Sequence, residues 1–492
     1  MTGAVPELPE LGVGITYSPS IEPLLLEEPG LLDLLEVEPQ TAWIKRPGEP
    51  RPYRVQEETM QRLLSFPVRK LVHSVGTPVG GTVRPEPAQL ELLRETILRL
   101  DAPWASDHLS FNATPEFATG FFLPPRQTPA GVETVTASVA DLQQALPVPI
   151  AVETGVNYLR PRTDELDDGE FVGLVAERSD CGVLLDLHNV FANALNGRQP
   201  IEDFLAQLPL ERVWELHIAG GMEMDGFWLD AHSGALPDAL VEIAADVVPR
   251  LPNLKAIVFE ILPSFVPVVG LELVAEQLRR IRKLWELRRP AAPGPPPRRR
   301  PAAPTEQDRV PPEVWERALG TLVIGGEAEG GPAEELRADP GVRLVEGLAK
   351  EFRASMVVGV LRLTSRLLML ALGTEIFQRL LADFWSRTPP QMYASLEASA
   401  FGDYLTGLDL KVPQLAGVLA FERALVDTLC DDVPRVVAFD VDPLPLLLAL
   451  ADGRLPTEPG QHGRYEIEVT PDGPVGALGV ELEDVQQAFP YH

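Results

Sequence analysis

The sequence predicts a (β/α)8 TIM barrel over residues 1–287 and a mainly helical domain with a small β element over residues 309–492. Three observations lead there. Eight apolar, strand-like runs punctuate the first 285 residues, helix-like stretches fill most of the intervals, and the polar residues closing six of the runs are imidazoles and carboxylates. Strands alternating with helices form parallel βαβ units, and eight such units close into a barrel with its active site at the C-terminal strand ends.

The runs are Leu11–Tyr17, Leu31–Val37, Val68–Gly76, Ala102–Phe111, Pro149–Gly155, Gly182–Asn189, Val213–Gly220 and Lys255–Leu262. Between them, Pro87–Leu100, Ser138–Leu146, Asp164–Arg178, Ile201–Leu208 and Leu236–Arg250 have helical spacing, and Leu271–Leu287 closes the domain. Residues 288–308 hold seven prolines within fifteen residues and five arginines. Such a stretch sustains neither a helix nor a central strand and predicts a stiff, extended linker. Beyond it, helices are expected at Pro312–Leu319, Pro332–Asp339, Leu344–Gly373, Thr374–Ser386 and Gln414–Cys430. Tyr465, Ile467 and Val469 alternate within Gly463–Ala477, which predicts a small sheet. His462 and His492 stand apart from any ligand cluster, so this region is expected to bind or present rather than catalyse.

Composition narrows the function. Hydrophobic content of 45% with 23% charged residues describes a globular chain large enough for two domains. A net charge of −30 argues against nucleic acid, since phosphate binding wants a basic surface. No apolar run reaches membrane-spanning length; the most apolar segment, Met356–Gly373, carries Arg362 and Arg366. The first residues show no basic region or apolar core of a secretory signal, and a cytoplasmic protein is expected. Cys181 and Cys430 lie far apart and form no metal or disulfide motif. Cys181 precedes Asp186 by five residues, about 16 Å at strand rise, and is expected at the opposite end of the barrel.

The strand ends carry the chemistry. His73, His108, Glu153, Asp186, His217 and Glu260 close six of the runs, while Asp230 and His232 follow in the loop after the seventh. With His188 after Asp186, five of the seven histidines gather on one rim, with no lysine among the strand ends. A buried His or Glu is unfavourable unless paired or coordinated. Asp230 and His232, two residues apart, project to one face of an extended segment. Asp186 and His188 face the barrel together if the sixth strand runs straight; Asn189 takes the place of His188 if the chain turns. This His and Asp/Glu set without thiolate suits iron, manganese or zinc, and its size fits two or three ions with Glu153 as bridge. Glu153, Asp186 and His217 are the candidate catalytic residues.

Val-His73-Ser-Val-Gly, Ser-Asp-His108, the Glu153 strand end, Leu-Asp186-Leu-His-Asn-Val-Phe-Ala-Asn-Ala, Glu-Leu-His217-Ile-Ala-Gly, Asp230-Ala-His232 and Phe-Glu260 resemble, in order and spacing, the multinuclear non-heme iron-dependent oxidases of the methanobactin-biosynthesis type. The resemblance covers residues 11–285. It implies a xylose-isomerase-like barrel with two or three irons and O2 as co-substrate, acting on a ribosomally made precursor peptide, with a cysteine as the expected target. It further implies one iron at His73, His108 and Glu153, one at Glu153, Asp186, His217 and Glu260, and one at Asp230 and His232 with Asn189 or His188. Gly221 stands where the family often has a second His, and Gln40-Thr41 where it often has Glu-Asn; both departures bear on substrate choice. Leu370–Phe384, Phe401–Leu405 and Ala420–Leu425 resemble the family's peptide-capturing partner proteins, which implies a partner fused in cis, raising the local concentration of captured peptide. The competing readings are a metal-dependent hydrolase or isomerase on the same barrel, as in endonuclease IV-like or sugar isomerase-like proteins, with water activated in place of O2, and a non-catalytic binding protein with structural metals.

Overall fold

A computed structural model describes residues 7–46, 51–289, 310–458, 460–471 and 473–476. Most of the linker predicted at 288–308, together with Ala477 and His492, lies outside the described residues. The barrel strands are β1 (Gly12–Thr16), β2 (Leu34–Val37), β3 (Arg69–Ser74), β4 (Ala105–His108), β5 (Ile150–Glu153), β6 (Gly182–Asp186), β7 (Val213–Ala219) and β8 (Ala256–Glu260). All eight pair in parallel, each with its sequence neighbours, and β8 closes on β1. The fold class read from the strand–helix alternation is the one observed.

Outside the strands lie α1 (Glu57–Ser65), α2 (Pro87–Leu100), α3 (Pro129–Ala145), α4 (Asp168–Ser179), α5 (Leu187–Leu195), α6 (Ile201–Gln207), α7 (Asp238–Val247) and α8 (Leu271–Trp285). Helix α3 begins nine residues before its expected start. Thr128 caps it, accepting from Gly131 N, and Pro129 occupies the first turn, where a missing N–H costs nothing. The base of the barrel is apolar: Leu34, Leu71, Trp104, Ala151, Leu184, Trp214, Ala256 and Val258 form one buried cluster. Two residues after Leu34, Leu71, Trp104, Ala151, Leu184 and Val258 stand Glu36, His73, Ser106, Glu153, Asp186 and Glu260, so polarity rises toward the C-terminal rim.

The chain divides into two compact units. The first holds the barrel and runs on to Glu346, with α9 (Pro312–Val323) and α10 (Gly331–Ala338), helices that the sequence groups with the C-terminal region. The second comprises residues 44–54, 117–121 and 347 onward. The helix expected over Leu344–Gly373 is two helices, α11 (Pro340–Val360) and α12 (Arg362–Leu372), bent by 106°. Leu361 leaves the helical region at φ −100°, ψ 55°, and the buried Glu422 carboxylate accepts Leu363 N at 2.6 Å and Thr364 N at 2.8 Å, capping the second helix. Helices α13 (Thr374–Arg387), α14 (Ala394–Thr406), α15 (Leu415–Asp431) and α16 (Leu444–Ala451) follow. Strands β9 (Arg435–Val441), β10 (His462–Thr470) and β11 (Gly473–Gly476) form the small antiparallel sheet. Phe377, Phe384, Phe401 and Phe421 centre this unit's core. Among the described residues, no single helix is long and apolar enough to cross a membrane.

Candidate metal centre

Strand register brings the rim residues together. Parallel pairing sets His108 beside Glu153 and Asp186 beside His217. Among the described residues, four sets of ligand atoms result, each within 4.8 Å of one another; three gather the residues expected at the rim, namely His73, His108 and Glu153; Glu153, Asp186, His217 and Glu260; and Asp186, Asp230 and His232; the fourth is Glu36, Glu215 and His217. Glu153 belongs to two of them. Its Oε2 lies 3.1 Å from His108 Nε2 and 3.5 Å from His73 Nε2, and its Oε1 lies 3.7 Å from His217 Nδ1. His232 Nε2 approaches Asp230 Oδ1 at 3.0 Å and Glu260 Oε2 at 3.5 Å.

The opposite edges of these side chains are tied down. His73 Nδ1 bonds Ser106 Oγ at 2.9 Å, His108 Nδ1 bonds Ser74 O at 3.2 Å, and His217 Nε2 bonds Glu36 Oε2 at 2.9 Å. Each ring therefore turns its other nitrogen toward the cluster. Phe122 stacks on His108 with centroids 4.2 Å apart, covering that imidazole with an apolar face.

The sixth strand does not run straight. It ends at Asp186, which caps α5: Asp186 Oδ1 accepts from Asn189 N at 2.8 Å, and Oδ2 accepts from Asn189 Nδ2 at 3.0 Å. The turn leaves the buried Asn189 Oδ1 without a hydrogen-bond partner beside Asp186. His188 instead bonds Asp230 and Trp228 through its two ring nitrogens and joins none of the three sets. Of the two residues left open by the sequence, Asn189 is the one whose side-chain oxygen is left without a hydrogen-bond partner.

Sequence reading missed Glu36, Glu38 and Glu215. Glu36 and Glu215 are fully buried behind His217, Glu215 accepting from Trp104 Nε1 at 3.0 Å. The signal was available as alternation: Leu34 and Glu36 share one face of β2, with Glu38 just past its end, as Glu215 and His217 share one face of β7. Cys181 is buried at the start of β6, five residues before the cluster, and burial pushes its thiol up to about 12.

The electrostatics call for added positive charge. Burial raises Glu153 well above the carboxylate range, with His217 opposing and Glu260 and Asp186 adding to the shift. Burial, then Asp230 and Glu260, pushes Asp186 up to about 7. Burial also holds His73 well below its ordinary value and brings His108 down to about 4. His217 and His232 go the other way; burial disfavours their charge, but Glu260 with Glu36, and Asp230 with Glu260, outweigh it. Packed carboxylates thus hold protons on imidazoles that cations can replace. A direct test of fit is that six of the buried polar atoms lacking a hydrogen-bond partner stand together on this rim: His73 Nε2, Glu153 Oε2, Asn189 Oδ1, His217 Nδ1, His232 Nε2 and Glu260 Oε2. Others are scattered through the fold, but these six belong to neighbouring imidazole, carboxylate and amide groups. Nitrogen and oxygen donors without thiolate fit iron, manganese or zinc.

A protein named UPF0276 from Streptomyces avermitilis is 30% identical over 247 residues, spanning 49% of this chain and 49% of the relative, so the match spans about half the relative's length. A UPF0276 protein from Chromobacterium violaceum is 29% identical over 239 residues, 49% of this chain and 87% of its own. A xylose isomerase domain protein from Planctomyces limnophilus superposes with a TM-score of 0.37 at 12% identity, over 56% of this chain and 97% of its own. Residues 12–284, more than half of the chain, match the family described as RiPP precursor modification enzyme MbnB/TglH/ChrH, and the chain belongs to that family.

Proposed function

We propose that this protein is a multinuclear non-heme iron-dependent oxidase that uses O2 to modify a ribosomally made precursor peptide at cysteine. The observation that carries the reading is that six buried donor atoms without a hydrogen-bond partner stand together at the barrel rim. Family membership supports the peptide substrate. His73, His108 and Glu153 would hold one iron, Glu153, Asp186, His217 and Glu260 a second, and Asp186, Asn189, Asp230 and His232 a third. Iron, when bound, supplies the one-electron redox change and the open positions that O2 and a substrate thiolate need.

The chain's own contribution is placement and exclusion. Glu153 presents its two oxygens to two ligand sets, which suits a bridging carboxylate. Glu36 holds His217 from behind, so that Nδ1 faces forward. Phe122 keeps water from the His108 face. In the second unit, no set of His, Cys and carboxylate ligands occurs among the described residues, which supports recognition of the peptide there, with chemistry confined to the barrel.

The test is anaerobic loading with ferrous iron, addition of a cysteine-containing precursor peptide encoded beside the gene, and measurement of O2 uptake with peptide mass. The expected result is oxygen consumption coupled to a mass change at cysteine. Turnover with zinc alone and no oxygen consumption would instead establish the hydrolase or isomerase reading.

A further inference from the structure

Trp228, His188 and Gly221 lie just outside the ligand sets, and their geometry is specific. Trp228 Nε1 is 3.0 Å from His188 Nε2. An indole nitrogen only donates, so His188 Nε2 must be the bare, accepting nitrogen. The ring proton then sits on Nδ1, which lies 3.0 Å from Asp230 Oδ1 and donates to it. One indole thus fixes the imidazole tautomer, and the imidazole pins one oxygen of the carboxylate. Both nitrogens of His188 are used, and the residue is completely buried.

The indole itself is held. Trp228 N donates to Asn196 Oδ1 at 2.8 Å, Asn196 Nδ2 donates back to Trp228 O at 2.9 Å, and Phe191 packs edge-on at 6.0 Å. Gly221 makes the pairing possible. A Cβ on Gly221 would stand 2.4 Å from Trp228 Nε1 and 2.6 Å from His188 Nε2, directly against the hydrogen-bonded atoms. From its far side, Asp230 is fixed by donation of its own N–H to Tyr158 Oη at 3.0 Å.

We propose that Trp228, His188 and Gly221 form a positioning relay that aims Asp230 at the cation held with Asp186 and His232, and that His188 is not itself a ligand. The proposal rests on the metal reading above. It predicts that breaking the relay weakens most the cation held with Asp230 and spares the one at His73, His108 and Glu153, which share no contact with it.

The experiment titrates the metal-free full-length protein with Co2+ under nitrogen, following bound equivalents and the visible absorption of each site. Trp228→Phe, His188→Ala and Gly221→Ala should each weaken one class of Co2+ by about 10–100-fold, the range for loss of a partner that orients a metal ligand, with the remaining spectrum unchanged. His188→Gln should restore much of the binding, since an amide offers one acceptor to the indole and one donor to Asp230. Trp228→Phe binding as tightly as wild type overturns the relay. So does His188→Ala losing a cation while Trp228→Phe binds it more tightly, the pattern of a freed ligand nitrogen. A wild-type chain that binds no Co2+ overturns the metal reading together with the relay.

Discussion

Trp315→Ala probes how the segment after the linker supports the barrel unit. Trp315 is 2% exposed, and its ring lies between the guanidinium groups of Arg126 and Arg162, each 4.7 Å from its centroid. Arg126 pairs with Glu165 at 2.9 Å and Arg162 with Asp339 at 3.2 Å. The residue after Trp315, Glu316, accepts Thr82 N through both oxygens, at 3.1 and 3.0 Å. Gly341 passes so close that a Cβ there would stand 2.1 Å from Tyr158 O. The segment therefore grips the loops after β3 and β5, and the second of these carries the Tyr158 that touches Asp230. Truncating a buried Trp costs about 3–5 kcal/mol. Loss of two cation–π contacts adds about 0.5–2 kcal/mol each, partly counted already in the burial. We expect about 5 kcal/mol, a melting shift on the order of 10 °C for a unit of this size. Denaturant melts of the full chain measure the first, and hydrogen exchange over residues 75–86 and 154–167 should show lost protection. A loss below about 1 kcal/mol with unchanged exchange would refute the grip, since the magnitude follows from burial alone.

Other expectations are quickly tested. Glu36→Gln keeps an acceptor for His217 Nε2 but removes the buried negative charge, and should lower metal affinity about 10–100-fold in chelator competition while the fold persists. Metal loading at pH 7 should release protons into weakly buffered solution, because Glu153, Asp186, His217 and His232 are all raised in the metal-free protein; affinity should climb with pH. Burial pushes Glu422 up to about 7, so its favourable contribution is complete below its unfolded value and is lost as pH rises through about 7. Wild type should lose up to about 3 kcal/mol between pH 4.5 and 8 relative to Glu422→Gln in urea melts.

Much of the barrel was legible because its strands are short apolar runs that end in residues costly to bury, a pattern local in sequence. The residues that cluster at the rim were legible for the same reason: His73, Glu153, Asp186, His217 and Glu260 each follow an apolar inward residue or strand. Glu36 and Glu215 were not singled out, since a glutamate inside a run reads as solvent-facing until its face is assigned by alternation. His188 and Asn189 could not be separated without knowing where β6 stops, and that is decided by a cap, Asp186 on Asn189 N, rather than by hydropathy. The bend at Leu361 was hidden because its cause, Glu422, lies some sixty residues away in sequence. The grouping of α9 and α10 with the barrel was likewise hidden, because a proline-rich tether marks a break in regular structure and says nothing about where the chain packs afterwards.

The central claim is that the rim holds redox-active iron in more than one place, with Glu153 between two of the ions. The most direct measurement is Mössbauer spectroscopy with metal analysis on protein reconstituted anaerobically with 57Fe2+, wild type beside Glu153→Ala. The account predicts two to three irons per wild-type chain with coupled spectra, and loss of both coupling and iron in Glu153→Ala while circular dichroism is unchanged. A single uncoupled iron, or a Glu153→Ala protein that keeps the wild-type iron and spectrum, would contradict it.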